Sequence, residues 1–134
     1  MRLWHYKLIP VLPNAMLVSQ WRECIAIKRQ WEKGTLKHRL VSYVMNYDRD
    51  LFYNYTSRVC QEMCYRDINY KDTYLCEIAN FCNVIPNSLY PMDNLDYPEH
   101  NNRYLKQCYY NLQEKYDRGI ISEEEWKNID SIFR

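Results

Sequence analysis

Apolar positions recur along this chain at helical spacing, and no stretch shows the alternation with paired turn signals that hairpins need. Pro13 opens the first pattern. Leu17, Trp21, Cys24, Ile25 and Lys28 then fall on one face of a helix that runs to about Trp31, and Gly34 marks its end. A second helix is predicted over His38 to Tyr47, burying Leu40, Val41, Val44 and Tyr47. A third follows Asp48 through Leu51, Phe52, Tyr55, Val59 and Met63, ending near Arg66. The stretch from Asp67 to Pro98 is less regular, with a short helix at Thr73 to Phe81 and a loop punctuated by Pro86, Pro91 and Pro98. A long helix from Pro98 to about Arg118 turns Leu105, Cys108, Tyr109, Leu112 and Tyr116 inward and stops at Gly119. Ser122 and Glu125 form a capping box for a last helix carrying Trp126, Ile129 and Phe133.

The expectation is a compact all-α fold in a single domain covering residues 1–134, without repeat or linker. A chain of this length buries roughly two thirds of its unfolded surface. Six cysteines without an apolar leader point to a reduced, cytoplasmic protein, and no run approaches the ~20 apolar residues of a membrane span. Cys60 and Cys64 share a helix face and suit two buried thiols or half a metal site. Because no His/Cys set completes a tetrahedral site, no metal is expected. Fourteen tyrosines against three phenylalanines are the compositional oddity. Tyrosine can stack on exposed bases, but most are expected at core edges with their hydroxyls in water.

The net charge of +1 conceals an asymmetry. Residues 1 to 40 hold eight Lys or Arg against Glu23 and Glu32, whereas the remainder holds ten against fifteen acids. The basic part has the character of a phosphate-contacting surface, with Lys28, Arg29, Lys33, Lys37 and Arg39 extending it beyond Arg2 and Arg22. No glycine-rich nucleotide loop, zinc-peptidase motif or serine-hydrolase elbow is present. Amine chemistry remains. At neutral pH about a tenth of an α-amino group is the free nucleophile, against about 0.04% of a lysine. A chain terminus held in a site is thus suited to attack a sugar carbon.

The start Met1-Arg2-Leu3-Trp4, followed by Leu12-Pro13, Leu17 and Trp21-Arg22-Glu23, resembles the pyrimidine-dimer DNA glycosylase family, the relatives of phage endonuclease V. Lys37-His38 with Val41 and Tyr43-Val44 extend the resemblance, as do Tyr97-Pro98-Glu99-His100 and Tyr104-Leu105, so that it covers most of residues 1 to 118. It implies a compact all-α domain in which Met1 supplies the nucleophilic amine and Glu23 the catalytic carboxylate, with Arg2 and Arg22 on the phosphates around a lesion. The bulky Arg2 predicts that Met1 is retained, so that its own amine serves. Two departures stand out: Met16 occupies the place of a histidine on the phage enzyme's first helix, and Glu123-Glu124-Glu125-Trp126 replaces an aromatic, basic tail.

The resemblance thus implies a DNA glycosylase with abasic-site lyase activity. It would act as a monomer on damaged duplex DNA through an imine, without cofactor. Two other readings of the residues stay open: a non-catalytic DNA-binding module, and a helical protein-interaction domain using the acidic carboxyl-terminal half. Trp4 and His5 either meet a displaced nucleotide or anchor the terminus to the core.

Overall fold

A computed structural model describes residues 1–85 and 89–134; the expected loop position Pro86 lies outside the described residues. Among the described residues there are five α-helices: α1 (Asn14–Lys33), α2 (Arg49–Tyr65), α3 (Asp72–Cys82), α4 (Asn102–Asp117) and α5 (Glu123–Ser131). Two 3-10 helices join them, Tyr6–Val11 and Ser42–Asn46, and there is no strand among the described residues. The fold is all-α, as the spacing of apolar residues requires.

The middle of the molecule is α2, which packs against α1, α3 and both 3-10 helices, while α4 pairs with α5 and α5 rests on the first 3-10 helix. Its residues Phe52 to Ser57 are all buried, polar ones included, because neighbours cover it on every side. Trp31 of α1 meets Phe52 and Phe81 edge-on at 5.8 and 5.1 Å between ring centres, joining α1, α2 and α3. In the other half Trp126 stacks on Tyr116 at 5.1 Å.

Helix ends follow local chemistry. The Pro13 carbonyl accepts from Met16 and Leu17 to start α1. Gly34, at φ 73°, ends it in the left-handed conformation that only glycine adopts without strain. The expected capping box of Ser122 and Glu125 is formed reciprocally at the start of α5.

Two expected helices are corrected. Residues 38–47 do not form an α-helix; only Ser42–Asn46 is helical, as a 3-10 turn. Here the His38 carbonyl accepts from both Val41 and Ser42, closing a tight turn, and Val41 and Val44 are three apart, the repeat of a 3-10 helix. Leu40 is consequently 49% exposed instead of buried. The long carboxyl-terminal helix begins at Asn102, four residues after Pro98, because the Asn101 side chain caps Tyr104 and buried Tyr97 and His100 hold the preceding turn to the core.

The amino-terminal arm is woven into the interior. Leu3, Trp4, His5, Leu8, Ile9 and Leu12 are all buried, so Trp4 and His5 are anchors of the terminus. At the far end of the arm Arg66 donates to the carbonyls of Pro10 and Leu12 and to the Asn14 side chain, at 3.0, 2.6 and 2.9 Å. The guanidinium thereby satisfies carbonyls that the short 3-10 helix leaves without partners.

His5 and His100 lie 5.4 Å apart between ring centres under this arm. Each Nδ1 accepts a backbone N–H, from Lys7 and Tyr6 respectively, and His100 Nε2 meets the Tyr43 hydroxyl at 2.7 Å. Burial disfavours the imidazolium and lowers His5 to about 4 and His100 to about 3. The unfolded chain, with histidines titrating at about 6.5, therefore binds protons that the folded chain refuses. Stability should be full above pH 6.5 and fall as the pH drops toward 4, with the loss visible already between about pH 6.5 and 5, above the carboxylate range. Thermal melts in that interval check this; a flat Tm would show that the pair does not stay neutral.

Candidate active site

Gln20 organises the site. It lies on the core face of α1, three residues after Leu17 and four before Cys24, and is 1% exposed. A carboxamide has two donors and an oxygen acceptor, and here each has a protein partner. Its oxygen accepts from the Trp4 backbone N–H at 2.8 Å and lies 3.1 Å from the Tyr55 hydroxyl oxygen. Its nitrogen donates to the Arg2 carbonyl at 2.9 Å and to Glu23 Oε2 at 3.1 Å. One amide group thus ties the first residues to the Glu23 carboxylate.

Tyrosines complete the fixation. The Tyr55 hydroxyl donates to the Trp4 carbonyl and the Tyr104 hydroxyl donates to the Leu3 carbonyl, so α2 and α4 grip successive residues of the arm. Burial pushes both phenols above the ordinary tyrosine range, which keeps them protonated as donors. Arg2 lies over the Trp4 ring at 5.5 Å. The Met1 amine points toward His38, with 3.5 Å between its nitrogen and Nε2. Met1 and Glu23 are both half-buried.

The structure sorts the basic residues. Arg22 is exposed beside Glu23 and lines an open cleft of about 460 Å³ with Ile25, Ala26, Arg29, Gln30 and Tyr74. Lys33, Lys37 and Arg39 are exposed near the end of α1. Lys28 is different. At 5% exposure it offers no surface charge, and its ammonium donates to Glu32 at 3.0 Å and Glu77 at 3.2 Å. The periodicity that placed Lys28 on the core face describes it better than membership of a basic surface. Arg29 is exposed but pairs with both oxygens of Glu77 and stacks over Tyr74. The Arg29 guanidinium holds the Glu77 carboxyl below the usual carboxylate range.

Sequence reasoning missed Gln20, Tyr55 and Tyr104. A signal for Gln20 existed, since a polar side chain on the apolar face of α1 needs buried partners. The tyrosine contacts had none, because they join residues dozens of positions apart. The thiols of Cys60 and Cys64 divide: Cys60 is buried, Cys64 exposed, and all six cysteines are free. Among the described residues no group of three or more His, Cys, Asp or Glu side chains could hold a metal ion, and no helix is long and apolar enough to cross a membrane.

Replacing Gln20 by Leu leaves the Trp4 N–H and the Arg2 carbonyl without their partner in a buried place. A loss of about 2–4 kcal/mol is expected from the unpaired groups, read from the urea midpoint at unchanged slope. Gln20→Glu, which still accepts from Trp4 but sets a carboxylate against the Arg2 carbonyl and Glu23, should also destabilise. A midpoint for both variants equal to that of the unaltered chain would show that the amide is not the organising group.

A family model described as pyrimidine dimer DNA glycosylase matches residues 1–77, more than half of the chain. The match contains Met1, Arg2, Gln20, Glu23, His38 and Tyr55, and leaves α4 and α5 outside. No curated protein and no solved structure matches the chain.

Proposed function

The chain belongs to the pyrimidine dimer DNA glycosylase family, and we propose that it breaks the glycosidic bond of a damaged nucleotide through attack by the Met1 amine and then cleaves the strand at the resulting sugar. By family it is a DNA glycosylase with DNA as its substrate. The observation that supports the finer reading is the Gln20 amide, which binds both the Arg2 carbonyl and the Glu23 carboxylate.

In the proposed reaction the lone pair of the Met1 nitrogen forms a bond to C1′ while the glycosidic bond breaks, its electron pair leaving with the base. Glu23 stabilises the positive charge developing on the sugar. The carboxylate then takes a proton from the new C–N nitrogen and passes it to O4′ as the ring opens, giving the imine. Glu23, again a carboxylate, takes a C2′ proton as the C3′–O bond breaks and its electron pair leaves with the 3′ phosphate, and water then hydrolyses the imine and returns the amine. No metal or organic cofactor takes part.

Arg2 and Arg22 flank the amine and the carboxylate and serve phosphates on either side of the displaced nucleotide, with Lys33, Lys37 and Arg39 continuing the track. Arg29 contributes less because Glu77 already compensates it. The six free thiols suit a reducing compartment, and a cytoplasmic monomer is part of the same reading.

The experiment is borohydride trapping with untagged protein on two duplexes, one with an abasic site and one with a cyclobutane dimer. A cross-link on both that disappears on acetylation of the amino terminus is expected. No cross-link on either, with a free terminus confirmed by mass, would sink the amine mechanism. Glu23→Gln should slow trapping roughly 100-fold or more while duplex affinity stays within a few fold. Near-normal trapping by that variant would remove Glu23 from the reaction. Arg22→Ala should flatten the dependence of log affinity on log salt by roughly 0.9, the contribution of one phosphate contact; an unaltered slope would remove Arg22 from the phosphate track.

A further inference from the structure

The position of the proton on the His38 ring is set by the backbone. His38 lies between α1 and the 3-10 helix Ser42–Asn46, in a turn whose geometry is closed by bonds from Val41 and Ser42 to its carbonyl at 3.1 and 2.9 Å. Val41 and Val44, both fully buried, fasten that turn to the core. Within it the ring Nδ1 lies 3.3 Å from the Leu40 backbone nitrogen and accepts its N–H. A ring nitrogen that accepts holds a lone pair and no proton, so the neutral imidazole carries its hydrogen on Nε2. Nε2 is the atom that faces the Met1 nitrogen at 3.5 Å.

That tautomer selects its partner. An N–H aimed at an ammonium sets donor against donor, whereas an amine with a free lone pair accepts it. We infer that His38 is the positioning residue for the attacking amine, its Nε2–H holding the lone-paired Met1 nitrogen beside the Gln20–Glu23 pair until the sugar arrives. This rests on the amine reading of the site. On attack the lone pair turns to C1′ and the bond from Nε2–H is released. No proton passes through His38, so the balance of bonds and protons stays that of the amine attack itself.

His38→Asn tests the role with the turn preserved, because an asparagine oxygen accepts the N–H two residues on in the same way. Its shorter amide does not reach the amine as the ring does. At saturating protein, single-turnover borohydride trapping on an abasic duplex should slow ~10–100-fold, with the half-saturating protein concentration and Tm unchanged. A rate within about twofold of the unaltered protein would overturn the inference. Independently, nitrogen-15 spectra of the free protein at about pH 8.5, well above the ordinary histidine range, should show His38 protonated at Nε2 alone. A proton on Nδ1, in the other tautomer or in the imidazolium, would overturn it as well. Absence of trapping by the unaltered protein, or trapping that survives acetylation, overturns the amine reading and this inference with it. Normal trapping by both the unaltered protein and the variant overturns this inference alone.

Discussion

A single buried carboxamide is the constraint on which the arrangement around the terminus depends. Gln20 joins α1 to two residues of the arm and to α2 through Tyr55, and its remaining donor goes to Glu23. Each such bond adds only about 1 kcal/mol net, but a buried group left without its partner costs more than that, so the set is held together as a unit. Its geometric effect exceeds its energetic one. A carboxylate that would otherwise swing freely on the surface of α1 is given one orientation relative to the backbone of residues 2 to 4.

The abundance of tyrosine follows from the same architecture. An arm that is neither long helix nor strand enters the core with backbone carbonyls that no regular ladder can satisfy. Tyrosine supplies an apolar ring to fill the space and a hydroxyl to meet the carbonyl, which phenylalanine does not. Tyr55 serves Trp4, Tyr104 serves Leu3, and Tyr43 serves the imidazole of His100. Tyr47 and Tyr109 place hydroxyls on the Glu99 and Asp130 carboxylates, extending the pattern to the edge of the core. Most tyrosine rings are therefore buried or partly buried against the core, and Tyr65 and Tyr110 are the exposed ones.

What could be read from the sequence was whatever depends on neighbours within a few positions. The stripe from Leu17 to Lys28, the glycine stops at Gly34 and Gly119 and the Ser122 box are local, and the structure has them. Residues 38–47 misled because Val41 and Val44 fit either helical period, and the choice was made by a turn centred on the His38 carbonyl. Tyr6–Val11 went unseen because its carbonyls are satisfied by Arg66, more than fifty residues away in sequence. At the candidate site, Arg2 and Glu23 were singled out by the resemblance, whereas the Gln20 amide that binds the carbonyl of one and the carboxylate of the other was not. Lys28 had two readings, core face and basic surface, and Glu77 on a different helix decides between them.

The bonds that seat the arm also impose an order of assembly. Leu3 is held by Tyr104 and Tyr6 by His100, pairs separated by 101 and 94 residues. Contacts this distant in sequence are the slowest to form, and during synthesis their second members emerge last. The arm therefore remains uncovered until α4 has followed. The apolar side chains of Leu3, Trp4, Leu8 and Ile9 stay open to chaperones and proteases during that interval.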